Sequence, residues 1–329
     1  MTGALTVLWQ RVLQREPIGA EENFFDLGGD STLAVELLNE VSKLCRRDLP
    51  PVMIYQTPTI ASLAAVLEHV PVPRLPPLVR LKPGIDTSPL FIAHGLGGSA
   101  MDFFQPIRCL QTVRPVYGMQ AKGYEGAEEP LDRIEDMADY FLKAVKEIQP
   151  AGPYYLSGFS LGGLITLEMA QRLSASGEKV ALLAMLDAYP HVSTLSPGQR
   201  VRLAARQASL RATRIANQII DPQPDEEKTS AEKEELVVTT EAMLRVRESD
   251  KRALQRYRPR YYSGEIKFVK AAISTEFPDD PVAVWSHLAG KFELKTVPGD
   301  HVEIITTHYE SLANVLSGFL HEASSEQVP

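Results

Sequence analysis

Tyr154-Tyr155-Leu156-Ser157-Gly158-Phe159-Ser160-Leu161-Gly162-Gly163 is the stretch on which the fold turns. Its opening residues are strand formers, and from Leu161 to Ser176 the pattern is helical. A serine on a sharp turn between strand and helix is pushed out of the sheet with its Oγ presented. Gly158 and Gly162, two before and two after, permit such a turn because a Cβ there would collide with the strand or the helix. The helix then points its N-terminal N–H groups and its dipole at charge developing beside Ser160. The plainer alternative is a glycine-rich turn whose serine caps a helix.

Outward from this elbow, short β-rich runs alternate with helical patterns. The runs are Leu90–Ala93, Val116–Met119, Tyr154–Leu156, Val180–Leu186, Ile266–Val269 and Phe292–Val297. Helical patterns cover Leu131–Ile148, Leu161–Ser176 and Val302–Phe319. Alternation of this kind predicts a mostly parallel sheet with helices on both faces. From His191 to about Arg258 the alternation stops. That segment is helical in pattern and segregates its charge, with Arg200, Arg202, Arg206, Arg211 and Arg214 preceding Asp225, Glu226, Glu227, Glu234 and Glu235. An insertion at this point is expected to be a mobile helical lid.

A nucleophilic serine needs a base, and the base needs an orienting acid. In α/β-hydrolases these follow the serine in the order acid, then histidine. Asp187 ends the most apolar run, at the sheet edge where such folds place their sites. His301 follows the turn Pro298-Gly299-Asp300 and opens a helix. His191 falls in the insertion, His287 and His308 inside helical patterns, and His321 near the terminus. Phe91-Ile92-Ala93-His94-Gly95-Leu96-Gly97-Gly98 comes straight off a strand and offers a second oxyanion N–H, assigned to Leu96 beside that of Leu161. His94 precedes the serine and is read as holding the loop. The loop has neither the spacing nor the lysine of a phosphate-binding motif.

The chain has 329 residues, 44% of them apolar, and a net charge of −8, which argues against nucleic acid. No apolar stretch approaches the roughly 18 residues of a membrane span, and the start lacks the pattern of a secretory signal. Cys45 and Cys109 form neither a disulfide framework nor a metal set, so no metal is expected and the protein reads as soluble and cytoplasmic. Val70-Pro71-Val72-Pro73-Arg74-Leu75-Pro76-Pro77 divides the chain into residues 1–70, a proline-rich spacer over 71–77 and residues 78–329. The first piece carries nine acidic and five basic residues and reads as a small four-helix bundle. Its helices are signalled by Leu5, Leu8, Val12 and Leu13, by a run from Ser31, and by Thr59 to His69 with Thr59 as N-cap. Between the first two lies Asn23-Phe24-Phe25-Asp26-Leu27-Gly28-Gly29-Asp30-Ser31, where Ser31 either caps a helix or accepts a modification.

Asp26-Leu27-Gly28-Gly29-Asp30-Ser31, with Asn23-Phe24-Phe25 before it and Leu33-Ala34-Val35 after, resembles the attachment motif of peptidyl carrier domains of non-ribosomal peptide synthetases. Thr32 stands where that family commonly has leucine or isoleucine. Residues 78–329 resemble the type I thioesterase domain that ends such assembly lines, through the His94 loop, the Ser160 elbow, Leu183–Asp187 and Gly299-Asp300-His301. Gly95 stands where that family more often has proline.

The resemblance implies a termination didomain with 4′-phosphopantetheine carried on Ser31. It implies a phosphopantetheinyl transferase and upstream condensation and adenylation domains as partners. It further implies acyl transfer to Ser160, with His301 as base, Asp187 as its orienting acid, and release of an acyl or peptidyl chain by hydrolysis or cyclisation. Three alternatives stay open: a polyketide-type acyl carrier with the same thioesterase, a free serine esterase with a helical interaction module, and a non-catalytic scaffold.

Overall fold

A computed structural model describes residues 2–45, 49, 53–68, 76–126, 128–220, 241–273 and 277–325. Most of the spacer, Arg46 and Arg47, and the acidic half of the insertion, with Asp225, Glu226, Glu227, Glu234 and Glu235, lie outside the described residues. The amino-terminal piece holds four helices, α1 (Thr2–Leu13), α2 (Ser31–Cys45), the short α3 (Met53–Gln56) and α4 (Ile60–Glu68). They close around Leu5, Trp9, Phe24, Leu37, Leu38 and Leu63, all fully buried. Trp9 and Phe24 meet edge to face with ring centroids 5.2 Å apart. Thr59 caps α4 as its sequence suggests: the Ser62 N–H donates to Thr59 Oγ1 at 3.1 Å, and the Thr59 N–H to Ser62 Oγ at 3.1 Å.

The larger piece is a seven-stranded sheet in the order β1-β3-β2-β4-β5-β6-β7. Its strands are β1 (Leu78–Lys82), β2 (Leu90–Ala93), β3 (Val116–Met119), β4 (Tyr154–Phe159), β5 (Val180–Leu186), β6 (Tyr262–Ala271) and β7 (Ala289–Val297). All neighbours pair in parallel except β1, which lies antiparallel on β3. β4 is buried along its whole length, as a strand covered by helices on both faces must be. Helices α5 (Phe104–Cys109), α6 (Ile134–Ile148) and α7 (Leu161–Ala175) connect these strands, and an insertion, α8 (Pro197–Ile220) and α9 (Glu241–Arg256), follows β5. The short α10 (Pro281–Trp285) precedes β7. The carboxy-terminal helix expected over Val302–Phe319 is two helices, α11 (Glu303–Thr306) and α12 (Tyr309–Ser325).

Two apolar clusters lie on the two faces of the sheet, one around α6 and α7, the other around α5 and α12. The core of the helical bundle forms a third, and it takes in Val79, Ala100 and Met101 of the larger piece. Phe25 adds a ring contact, 4.5 Å from Phe104. The bundle is seated on a 3₁₀ turn, Ala100–Phe103, that directly follows the Gly97-Gly98 loop.

Candidate active site

β4 ends in the turn that carries Ser160. Its backbone sits at φ 54°, ψ −120°, a left-handed conformation that a non-glycine residue adopts only under constraint. The constraint is close packing: a Cβ on Gly158 would fall 2.1 Å from the Gly162 carbonyl oxygen, and one on Gly162 would fall 2.3 Å from that of Ala93. The Ser160 N–H donates to the Leu186 carbonyl at 2.9 Å, tying the elbow to the end of β5. Leu161 opens α7 immediately after it.

One strand over, Asp187 ends β5, also at positive φ (46°) and 4% exposed. Its own N–H donates to the Val269 carbonyl at 2.7 Å, and its Oδ1 accepts from the Ala271 N–H at 3.1 Å. Oδ2 is left for His301, whose Nδ1 lies 2.7 Å away. A carboxylate only accepts, so Nδ1 carries the proton and Nε2 is left with its lone pair. The His301 turn is itself fixed by Asp300, whose Oδ1 accepts from the N–H groups of Val302 and Glu303 while Glu303 Oε2 accepts from the Asp300 N–H. Two rings enclose the imidazole: Phe159 is stacked on it and Phe277 tilted against it, each with centroids 4.6 Å away. The structure thus places Ser160, Asp187 and His301 beyond the carboxyl ends of β4, β5 and β7. Phe277 had no signal in the sequence, since it falls in a short loop before α10.

The glycine loop after β2 faces the elbow, and a Cβ on Gly95 would stand 2.9 Å from the Phe159 ring and 3.7 Å from Ser160 Cβ. That approach accounts for glycine at this position. Leu96, the residue expected to supply the second oxyanion N–H, is partly exposed between Gly95 and Gly97. His94 is buried, with Nδ1 2.8 Å from the Gly95 carbonyl oxygen, and burial lowers its pKa to about 4. It is a neutral donor to the loop, remote in character from a base.

Fold and site match a known pattern, for residues 88–320 fit the thioesterase domain family. The chain belongs to that family. Ahead of its thioesterase domain, residues 3–67 match the phosphopantetheine attachment site family, so a carrier domain and a thioesterase domain follow one another as in non-ribosomal peptide synthetases. The dimodular nonribosomal peptide synthase of Bacillus subtilis (strain 168) is 38% identical over 185 residues, a match covering 56% of this chain and 8% of that protein. A four-domain nonribosomal peptide synthetase, solved in its holo form with AMP and glycine, superposes on 96% of this chain and 26% of its own at a TM-score of 0.62 and 24% identity. The NocB thioesterase domain, solved as a covalent complex with a fluorophosphonate nocardicin G analogue, covers 71% of this chain and 94% of its own (TM-score 0.52, 20% identity).

In the carrier domain, Ser31 is the first residue of α2, and the cap belongs to its neighbour: the Leu33 N–H donates to Asp30 Oδ1 at 2.9 Å. The helix-cap reading of Ser31 therefore gives way to Asp30. Gly28 at φ +101° turns the loop, and a Cβ on Gly29 would fall 2.3 Å from a Phe24 ring carbon, so the loop before Ser31 is held against the bundle core. A serine opening a 15-residue helix stands where N-terminal N–H groups and dipole favour a phosphodiester. The residues present fit the phosphopantetheine group.

Among the described residues, no three His, Cys, Asp or Glu side chains gather into a metal site, and no helix is long and apolar enough to cross a membrane.

Proposed function

We propose that the thioesterase domain releases an acyl or peptidyl chain from its own carrier through an acyl-Ser160 ester. The observation that carries this reading is the 2.7 Å bond from His301 Nδ1 to Asp187, made beside a serine held at positive φ on the adjoining strand. The arm on Ser31, when attached, presents the acyl group as a thioester on a flexible thiol. Nε2 of His301 takes the Ser160 proton as Oγ attacks the carbonyl carbon, and Asp187 holds the ring tautomer and balances the imidazolium charge. The Leu161 and Leu96 N–H groups receive the developing oxyanion. The C–S bond then breaks and His301 returns the proton to sulfur. Water, or a nucleophile within the acyl chain, repeats the sequence on the Ser160 ester and gives hydrolysis or cyclisation. Tethering sets delivery by effective concentration, of order mM for a short flexible link.

On this reading a phosphopantetheinyl transferase loads Ser31 and upstream synthetase domains supply the chain. The test is to load the protein with acyl-coenzyme A and a phosphopantetheinyl transferase and follow protein and product masses. Wild type should discharge. Ser160→Ala should retain the acyl mass, and Ser31→Ala should gain none yet still hydrolyse a soluble thioester. Turnover by Ser160→Ala would sink the proposal, and a wild-type protein that gains no mass would leave an esterase with a helical module.

A further inference from the structure

α9 belongs to the insertion, yet one face of it is core: Ala242, Val246, Ser249, Asp250 and Ala253 are buried. A charged side chain on that face is unexpected, because a carboxyl group withdrawn from water needs a specific partner. Asp250 is 1% exposed, and its Oδ2 accepts from the Gly97 N–H at 2.9 Å across 153 residues of sequence. One turn earlier, Val246 presses on the same loop, and a Cβ on Gly98 would meet Val246 Cγ1 at 2.7 Å. Gly97 and Gly98 both have positive φ, which glycine adopts freely, so the backbone of this loop does not fix its own position and an outside anchor decides it. Leu96 precedes them directly, and its N–H is aimed by the same short backbone.

We propose that Asp250 is a positioning residue for the thioesterase reaction: by accepting the Gly97 N–H it fixes the His94–Gly98 loop, and so the Leu96 N–H, at the oxyanion. This rests on the reading of Leu96 given above. The carboxyl touches no substrate and acts through the loop. Because α9 belongs to the insertion, the insertion on this proposal sets the geometry of the oxyanion donors.

Asp250→Asn and Asp250→Leu test it in the full chain. Asparagine keeps an acceptor oxygen, whereas leucine keeps the branched shape without one. With a soluble acyl thioester, kcat should fall about 100-fold in the leucine variant, the scale of a lost oxyanion donor, while KM stays within about two-fold. Inhibition by an acyl trifluoromethyl ketone, whose adduct with serine carries the oxyanion, should weaken by a similar factor. The asparagine variant should stay within about three-fold of wild type on both measures. A leucine variant with wild-type kcat, or one in which KM and kcat move without a change in ketone affinity, overturns the proposal, as does an asparagine variant as impaired as leucine. If circular dichroism shows the leucine variant unfolded, Asp250→Ala is judged by the same outcomes. Ser160→Ala run alongside separates the two readings. An active Ser160→Ala removes the nucleophile assignment, whereas an inactive one beside a fully active Asp250→Leu removes only the role of Asp250.

Discussion

Asp250 should make the fold of the thioesterase domain less stable as pH rises from about 4 towards neutrality. Burial pushes its carboxyl from 3.8 up to about 7, with the Gly97 N–H pulling the other way. An unfolded chain ionises this group near 3.8 and the folded one near 7, so between these values the unfolded state sheds its proton first. Stability contributed by the neutral carboxyl is therefore full below pH 4 and is lost progressively up to about pH 7. At about 1.4 kcal/mol per unit, the loss is on the order of 4 kcal/mol above pH 7, and more than half of it falls between pH 5 and pH 8. Asp250→Asn has no such dependence. The cavity that Asp250 lines also holds His94, Lys122 and Tyr140. Those groups are common to both proteins, and the difference between the two isolates Asp250. Thermal unfolding at pH 5, 6, 7 and 8 should show the variant gaining on wild type by about 5–10 °C across the range, for a domain of this size. A melting difference that stays flat with pH would show that the carboxyl remains ionised in the folded protein, and the burial argument would fail.

Asp187→Asn should leave the melting temperature near wild type and lower kcat on a soluble thioester by up to roughly 10⁴-fold through the wrong histidine tautomer, and a near-wild-type rate would mean another acid orients His301. Gly162→Ala should yield little folded protein or inactive protein, since the added methyl must displace the Ala93 and His94 carbonyls at 2.3 and 2.5 Å; normal expression with normal kcat would contradict the packing. Within the insertion, amide exchange should be faster in α8 than in α7 and should slow when Ser160 carries an acyl analogue. α9 should be as protected as α7, because it buries Val246, Asp250 and Ala253 and is pinned by Arg256 on Asp132 at 2.6 Å. Uniform protection across α8, unchanged by acylation, would leave a fixed wall in place of a gate.

What could be read beforehand followed from local signals. The Ser160 elbow, Asp187 and His301 each sit at a strand end marked by a glycine turn or an apolar run, and strands such as Val180–Leu186 are buried enough to be continuous apolar sequence. β1 was invisible. Leu78-Val79-Arg80-Leu81-Lys82 is a short edge strand directly behind the prolines, and it is antiparallel, so no crossover helix announces it. β7 is an edge strand and β6 pairs with β5 only over Lys267–Val269, so both extend beyond their apolar centres with polar residues such as Glu265, Lys291 and Glu293. Asp30 outcompeted Ser31 for the cap by one position, a choice too fine for pattern reading. Asp250 lies in Arg245-Val246-Arg247-Glu248-Ser249-Asp250-Lys251-Arg252, which looks like a solvated charged face. Only the tertiary approach of Gly97 singles it out.

The attachment of α9 to the glycine loop has a bearing on how thioesterase domains of this kind can be recombined. A graft that exchanges residues 191–258 as one block takes Val246 and Asp250 away from Gly97 and Gly98, leaving the loop bare even where every triad atom is native. Splice points placed on either side of α8 instead retain α9 with its host. At its start α8 packs Leu203 into the core, donates from Gln199 to the Ala283 carbonyl at 3.1 Å and pairs Arg206 with Asp279 at 3.7 Å, so a graft there has these three contacts to match. The insertion is thus two exchangeable cassettes of unequal risk. The second carries the anchor of the glycine loop, and the first does not.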